Sequence, residues 1–269
     1  MARAVALRSF FGQRLGKSRL GIPKGERLDL VVLSGDLTLA AREEEFEKAR
    51  AFIAALKAPT LSVPGNHDIT PYHLVERFVA PYRRWREFIG AELEPSWSNG
   101  TAAVVGINTA RRMRFRLDWS HGSVSRGQLR ALSPRFAALG ACPFRIVVAH
   151  HPLEHLPGEK KKRMRGADEA MEELARLNAD VVLSGHLHSW RADPFAEKPG
   201  RNAVLQVHAG TGLSTRLRGQ DNDFNLLEIE DGLIDVTRYA TAEGDDRFAM
   251  AQTRRFVIRP QGWTSHKEG

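Results

Sequence analysis

The chain has 269 residues, 42% of them apolar, which is enough to bury one large core. Its single cysteine, Cys142, excludes a disulfide framework and a zinc site built from several cysteines. No apolar run approaches the roughly 18 residues of a membrane-spanning helix.

The formal net charge of +8 favours anionic ligands. Basic residues cluster in the first 25 residues, at 111–116 and at 159–165, and we interpret the last two clusters as solvated loops. The first 25 residues lack acidic side chains and mimic a transit peptide, but they contain no apolar core of signal-peptide length. We therefore expect a cytoplasmic protein of undetermined oligomeric state. A small anionic substrate explains the positive net charge as well as nucleic acid does. We do not expect nucleic acid to be the main partner.

Strands and helices alternate through the first two-thirds of the chain. Apolar runs that end at glycine or polar residues predict strands at 28–35, 60–66, 102–109, 144–151 and 179–186. Helical spacing predicts helices at 40–57, around 71–89, at 125–139 and at 167–177.

The last third predicts strands at 203–211, 224–230, 233–240 and 254–260 without intervening helices. Asp231-Gly232 is a strong hairpin signal between two of them. The two patterns together predict an α/β architecture with two packed sheets.

Potential metal ligands follow four of the predicted strands. The run Val-Val-Leu-Ser-Gly occurs twice and leads once into Asp36 and once into His186, with His188 two residues later. The other two strands are followed by Asn66-His67-Asp68 and by His150-His151. Singly, Asp36 could cap a helix, Asn66 could be a turn residue and His150 could be structural. Jointly, carboxylate, amide and imidazole groups at matching strand ends indicate a site for zinc, manganese, iron or a similar divalent ion.

The motifs GDLT, GNHD, AHHP and GHLH, in this order, resemble the calcineurin-like metallophosphoesterase family. The resemblance covers the chain from Leu28 to about Ile258. It implies a four-layer α/β/β/α sandwich of two mixed sheets. It also implies that two divalent metals support hydrolysis of phosphomonoesters or phosphodiesters by attack of metal-bound water.

The resemblance also assigns roles to residues. Asp36 would bridge both metals, and His188 would bind the second of them. Asn66, His150 and His186 would complete the first metal's ligands, with His150 and not His151 as the ligand from AHHP. His67 would act on the scissile phosphate as a catalytic residue, with Asp68 as its orienting partner.

One part of the family pattern is absent from the sequence. Family members begin with Asp-x-His at the end of the first strand, but no histidine precedes His67, and Asp29 is the only aspartate before Asp36. We therefore expect the first central strand to be missing and residues 1–27 to be a basic remnant of the loop and helix after it, with the phosphoesterase domain at 28–269. On this hypothesis the true start lies upstream. The chain as written would bind one metal well and have reduced activity.

Two classes of function stay open. The first is a metal-dependent phosphoesterase acting on a small phosphoester, with cyclic nucleotides among the candidate substrates. The second is a catalytically impaired one-metal homologue that acts as a binding or scaffold protein. A primary nucleic-acid binder is a third class, and its affinity would fall steeply with salt.

Overall fold

The computed structural model describes residues 2–7, 27–112, 121–154, 163–187, 190–195, 203–210, 212, 222–241, 247–260 and 262–265. The predicted ligand His188 lies outside these residues, as do residues 8–26, 113–116 and 159–162 of the basic clusters.

The described residues contain thirteen strands. In chain order they are β1 Ala2–Leu7, β2 Leu30–Leu33, β3 Thr60–Ser62, β4 Ser96–Ser98, β5 Ala102–Ile107, β6 Phe144–Ala149, β7 Val181–Ser184, β8 Arg191–Phe195, β9 Val204–His208, β10 Asp223–Glu230, β11 Leu233–Thr241, β12 Phe248–Arg259 and β13 Gly262–Ser265.

These strands form two mixed sheets. Sheet A has the order β13-β12-β11-β10-β1-β2-β3, and its strands β1, β2 and β3 are parallel. Sheet B has the order β4-β5-β6-β7-β9-β8, and β5, β6, β7 and β9 are parallel. The mixed α/β class is confirmed. The predicted hairpin at Asp231-Gly232 is also confirmed, because Glu230 pairs with Leu233 across it.

The expectation that the first central strand is missing is wrong. Strand β1 lies inside sheet A, where it pairs with β2 in parallel and with β10 in antiparallel orientation. Its sequence, ARAVAL, was assigned to the basic segment because no Asp-x-His follows it. The next residues are instead Arg8, Ser9 and Phe10. The boundary at Leu28 therefore does not separate the sheet from the residues before it.

Five α-helices and one short 3-10 helix, Asn66–Asp68, are present among the described residues, and the α-helices are numbered in chain order. They are α1 Glu43–Ala55, α2 Leu74–Val79, α3 Arg83–Phe88, α4 Arg126–Ala138 and α5 Ala167–Arg176. The single helix expected around 71–89 is two short helices, because Pro81 between them has no backbone N–H to continue the first one. None of the described helices is long and apolar enough to cross a membrane.

Three apolar cores hold these elements together. One lies between the sheets and contains Val32 and Leu61 from sheet A with Val148 and Leu183 from sheet B. A second joins the other face of sheet B to α4 and α5, and a third joins the other face of sheet A to α1 and α3. Strands β2, β6 and β7, which precede Asp36, His150 and His186, are thus buried on both faces, which fixes the position of the loops at their carboxyl ends.

Candidate metal centre

The two Val-Val-Leu-Ser-Gly runs end in related turns that differ at the glycine, because Gly35 has φ of 88° whereas Gly185 does not have a positive φ. They form the central strands β2 and β7, and in each the residue after the glycine adopts the left-handed conformation. Asp36 has φ of 55° and His186 has φ of 68°. This conformation is uncommon for residues with a Cβ and is often found at functional sites. It ends each strand abruptly and allows the next side chain to leave the line of the strand.

Three electron-rich atoms converge at the carboxyl ends of β2, β3 and β6. The Nδ1 atom of His150 lies 2.8 Å from the carbonyl oxygen of Ser34, and because a carbonyl can only accept, Nδ1 carries the proton. In the neutral form of His150, Nε2 therefore presents a lone pair. It lies 3.3 Å from Asp36 Oδ1 and 3.1 Å from Asn66 Oδ1.

This arrangement fits a divalent cation. Lone pairs on a carboxylate, an amide oxygen and a neutral imidazole repel one another unless a proton or a cation lies between them. Ligands about 2.1 Å from a common ion are separated by roughly 3.0–3.4 Å, which matches the two distances at His150. A histidine ligand whose other nitrogen donates to a backbone carbonyl is the usual arrangement at metal sites.

His186 approaches from β7. Its ring lies 5.2 Å from that of His150, measured between centroids, and the two rings are nearly perpendicular. Asp36, Asn66, His150 and His186 are thus brought to one edge of the fold, whereas His188 lies outside the described residues.

His151 also reaches this site, although the family pattern does not assign it as a ligand. Nitrogen atoms of His150, His151 and His186 lie within 4.8 Å of one another. The Nδ1 atom of His151 lies 2.8 Å from the hydroxyl of Thr109, which also accepts the backbone N–H of His151 at 3.2 Å. The only sequence signal for it was the doubled histidine in AHHP.

Two glycines make the close approach of these loops possible. A Cβ on Gly35, whose φ is 88°, would lie 2.6 Å from His150 Nδ1. A Cβ on Gly65 would collide with the carboxylate of Asp36. The loops after β2 and β3 can therefore meet at the His150 ring only because both positions lack a side chain.

His67 is held in a defined orientation beside Asp36. Its backbone N–H donates to Asp36 Oδ1 at 3.0 Å, and its Nδ1 atom lies 2.7 Å from the carbonyl oxygen of Leu39. Because this carbonyl can only accept, Nδ1 donates to it, and Nε2 is the ring nitrogen available for proton exchange with a ligand. The orienting partner shown for His67 Nδ1 is thus a backbone carbonyl rather than Asp68.

Asp68 ties two loops together. Its Oδ1 accepts the backbone N–H and the hydroxyl of Thr38 at 2.9 and 3.0 Å, and its Oδ2 accepts the backbone N–H of Gly65 at 2.8 Å. Burial, assisted by the nearby charge of Asp36, raises the pKa of Asp68 to about 7 despite these donors. A cation bound to Asp36 would offset part of that repulsion. The catalytic assignment of Asp68 stays a prediction.

A cavity of about 500 Å³ opens beside Asn66 and His67. Its walls are Leu39, Ala40, Arg42, Glu45, Asn66, His67, Ile69, Pro71, Tyr72 and Arg77. Sequence reasoning gave no reason to single out most of these side chains, because they are brought together from two loops, the start of α1 and helix α2. The cavity provides room for a ligand next to the predicted catalytic histidine.

Comparison with known proteins agrees with this geometry. A family model described as calcineurin-like phosphoesterase matches residues 7–190. The chain belongs to this family.

Curated relatives include two bacterial phosphodiesterases. The 3',5'-cyclic adenosine monophosphate phosphodiesterase CpdA of Escherichia coli K12 is 26% identical over 171 residues, which are 62% of this chain and 56% of the relative. The glycerophosphodiester phosphodiesterase GpdQ of Enterobacter lignolyticus is 51% identical over 43 residues, 16% of each chain. The chain thus matches less than two-thirds of the length of either relative.

Among solved structures, GAP50, the anchor in the inner membrane complex of Plasmodium, aligns with a TM-score of 0.60. The alignment covers 97% of this chain and 90% of GAP50 at 15% identity. At this identity the likeness concerns the fold alone.

Proposed function

We propose that this chain hydrolyses phosphoesters with one divalent cation held by Asp36, Asn66, His150 and His186. The observation that carries this proposal is the convergence of His150 Nε2 on Asp36 Oδ1 and Asn66 Oδ1 at 3.3 and 3.1 Å. Manganese, iron or zinc would suit this mixture of imidazole and oxygen ligands. When bound, such an ion supplies positive charge and Lewis acidity beside the phosphate.

The protein's own groups account for orientation and proton transfer. A phosphate in the cavity beside Asn66 would lie against His67, whose Nδ1 is committed to the carbonyl of Leu39. His67 Nε2 would then stabilise the phosphate charge or protonate the leaving oxygen. Phosphodiesters, including cyclic nucleotides, are the first substrates to test, because the curated relatives are named for them.

We infer one ion rather than two. Strand β1 is in place, but Arg8, Ser9 and Phe10 follow it where the family has Asp-x-His. The protein ligands left for a second ion are Asp36 and His188. Two ligands hold an ion weakly, so we expect lower activity than in an enzyme with both sites complete.

This departure also supports a second candidate function, a one-metal homologue that acts as a binding or scaffold protein. The defined position of His67 favours the enzyme, because a site without catalysis has no chemical use for a histidine beside the cavity.

Hydrolysis of bis-p-nitrophenyl phosphate with added manganese separates the two candidates. We expect manganese-dependent turnover by the parent and a loss of about 100-fold or more in His67→Ala, in line with the contribution of general acid–base groups. His73→Ala is a matched control, since His73 is exposed and is not among the side chains that line the cavity. No turnover by the parent would favour the scaffold, and equal turnover in all three proteins would remove His67 from the proposed catalytic role.

Metal analysis after dialysis tests the number of ions. We expect about one tightly held ion per chain, and its loss in Asp36→Ala. Two tightly held ions would refute the one-ion assignment, and none would refute the metal centre.

A further inference from the structure

An exposed apolar surface lies beside the cavity and takes no part in the proposed metal centre. It is formed by helix α2 and by Tyr72, two residues before the start of the helix, and we call it the α2 patch. Its members are Tyr72, Leu74, Val75, Phe78 and Val79. Val75 and Val79 are each 78% exposed and occupy successive turns of the helix. Contiguous exposed apolar side chains of this kind commonly mark a binding surface.

The α2 patch is continuous with the cavity. Tyr72 belongs to both, and the cavity wall next to it includes the apolar side chains of Pro71 and Ile69. Asn66 and His67 line the same cavity. An apolar surface therefore leads from the predicted position of the phosphate onto the exposed face of α2.

The position of α2 is fixed by its opposite side. Arg77 is buried, and its guanidinium donates to the backbone carbonyls of Ile69 at 3.1 Å, Thr70 at 3.0 Å and Arg112 at 2.8 Å. Arg112 in turn donates to the carbonyl oxygen of Phe78 at 2.8 Å. These hydrogen bonds fix the position of α2 without any packing of its apolar side chains. The stability of the fold therefore does not account for the apolar residues on its exposed face.

We propose that the substrate is an amphiphilic phosphoester whose phosphate lies beside Asn66 and His67 and whose apolar ester group lies along the α2 patch. This rests on the proposed function. The continuity of the patch with the cavity selects this occupant, because a ligand held at the phosphate places its ester group at Tyr72. A buried methylene strengthens binding about fourfold, so even partial burial of an alkyl chain gives a measurable preference.

The test uses two phosphodiesters with the same leaving group, methyl p-nitrophenyl phosphate and octyl p-nitrophenyl phosphate. We expect the octyl ester to have kcat/KM at least tenfold higher in the parent. In the double variant Val75→Ser, Val79→Ser the ratio should fall to about threefold or less, with hydrolysis of the methyl ester unchanged. Both positions are exposed, so the variant should fold as the parent does.

The control variant is Met250→Ser, Ile258→Ser. Both residues are exposed apolar side chains on β12, which β11, β10 and β1 separate from β2 in sheet A. This control should keep the full octyl preference. Equal kcat/KM for both esters in the parent, or a preference that the α2 variant leaves intact, would overturn the proposal while leaving phosphoester hydrolysis standing.

A binding measurement separates failure of this proposal from failure of the proposed function. If neither ester is hydrolysed, calorimetric titration with octyl phosphate and methyl phosphate, with manganese present, still reports on the patch. Octyl phosphate should bind at least tenfold more tightly, and the α2 variant should remove the difference. A patch variant that changes only self-association, or only binding to anionic vesicles, would assign the surface to a second copy or to a membrane and overturn the proposal.

Discussion

The two copies of Val-Val-Leu-Ser-Gly make an informative comparison, because the same five residues form the middle of two different sheets. Strand β2 lies between β1 and β3, and β7 lies between β6 and β9, in each case with parallel neighbours. Each copy is followed by a left-handed residue, Asp36 or His186, and both residues belong to the candidate metal centre. The left-handed residue after the run is therefore common to both copies, whereas the glycine before it is not in the same conformation, since Gly35 has φ of 88° and Gly185 does not have a positive φ.

The copies differ in how firmly the ligand is held. Asp36 is completely buried and accepts the backbone N–H of His67, whereas His186 is partly exposed. The copies also differ at the residue before the run, which is the buried Leu30 in the first and Asp180 in the second. The comparison teaches that the same five residues can precede a buried carboxylate ligand and a more exposed imidazole ligand at one centre.

The largest expected effect comes from changing the two ligands in turn to asparagine, which tolerates the left-handed conformation. Asp36→Asn should lower affinity for manganese more than 100-fold, because it removes the buried negative charge. His186→Asn should lower the affinity for manganese about 10–100-fold, which is the loss commonly seen when a residue that supports a bound metal is replaced. Titration against a competing chelator measures both values. Equal losses would show that the buried charge of Asp36 contributes no more to manganese affinity than the imidazole of His186 does.

Much of the fold was predictable because the central strands are short apolar runs that end at glycine. Strands β2, β5, β6 and β7 and helices α1, α4 and α5 lie within the predicted ranges. Strand β1 was missed because Arg3 stands in it and because the family motif expected after it is absent. The short edge strands β4 and β8 and the terminal strand β13 were also missed, since three to five residues carry little periodicity.

The candidate ligands were predictable for a simple physical reason. Each follows a buried parallel strand, and such strands end at a common edge. The contacts that orient them were not predictable, because they join distant parts of the chain. The carbonyl of Leu39 orients His67, and the hydroxyl of Thr109 holds His151. These contacts depend on loop geometry that no local pattern encodes.

A second prediction tests why the first copy needs its glycine. Gly35→Ala places a Cβ 2.6 Å from His150 Nδ1 at a φ of 88°. Gly100 has nearly the same φ, 83°, but nothing lies within 4 Å of a Cβ there. Urea unfolding should show a loss of about 3 kcal/mol or more for Gly35→Ala and about 1 kcal/mol for Gly100→Ala, which carries the backbone strain alone. Similar losses would mean that the site tolerates the extra methyl group.

A third prediction concerns Asp180 at the start of the second copy. Burial raises its pKa to about 6, although it accepts the backbone N–H of Arg145 at 2.7 Å and Trp263 Nε1–H at 3.1 Å. Between about pH 4 and pH 6 the folded protein holds a proton that the unfolded chain has released, so this group's contribution to stability falls as the pH rises through that window.

Asp180→Asn removes this titration. The free energy of unfolding of the parent minus that of Asp180→Asn should therefore fall by about 2 kcal/mol between pH 4 and pH 6 and then stay constant. The hydrogen bonds that asparagine cannot make lower the variant's stability by an amount independent of pH, so they do not affect the slope. A difference that does not change with pH would contradict the raised pKa.

The smallest expected effect concerns the loop after the first copy. The hydroxyl of Thr38 lies 3.0 Å from Asp68 Oδ1 and 2.9 Å from the carbonyl oxygen of His67, and it accepts the backbone N–H of Ala41. Thr38→Val keeps the shape of the side chain but removes its hydroxyl. Asp68 Oδ1, the carbonyl oxygen of His67 and the backbone N–H of Ala41 then each lose a hydrogen-bond partner. The free energy of unfolding should fall by about 1–2 kcal/mol.

Thr237→Val is the matched control for this change. Thr237 is also buried, but its hydroxyl forms a hydrogen bond at 3.0 Å with the hydroxyl of Thr253. Thr253 is exposed and can form a hydrogen bond with water instead. Its replacement should change stability by less than about 0.5 kcal/mol. If Thr38→Val lost no more than this control, the hydroxyl would not be what anchors Asp68 and His67 to the loop that carries Asp36. The position of that ligand would then depend on the backbone N–H of His67, which donates to Asp36, and on the close approach at Gly35 and Gly65.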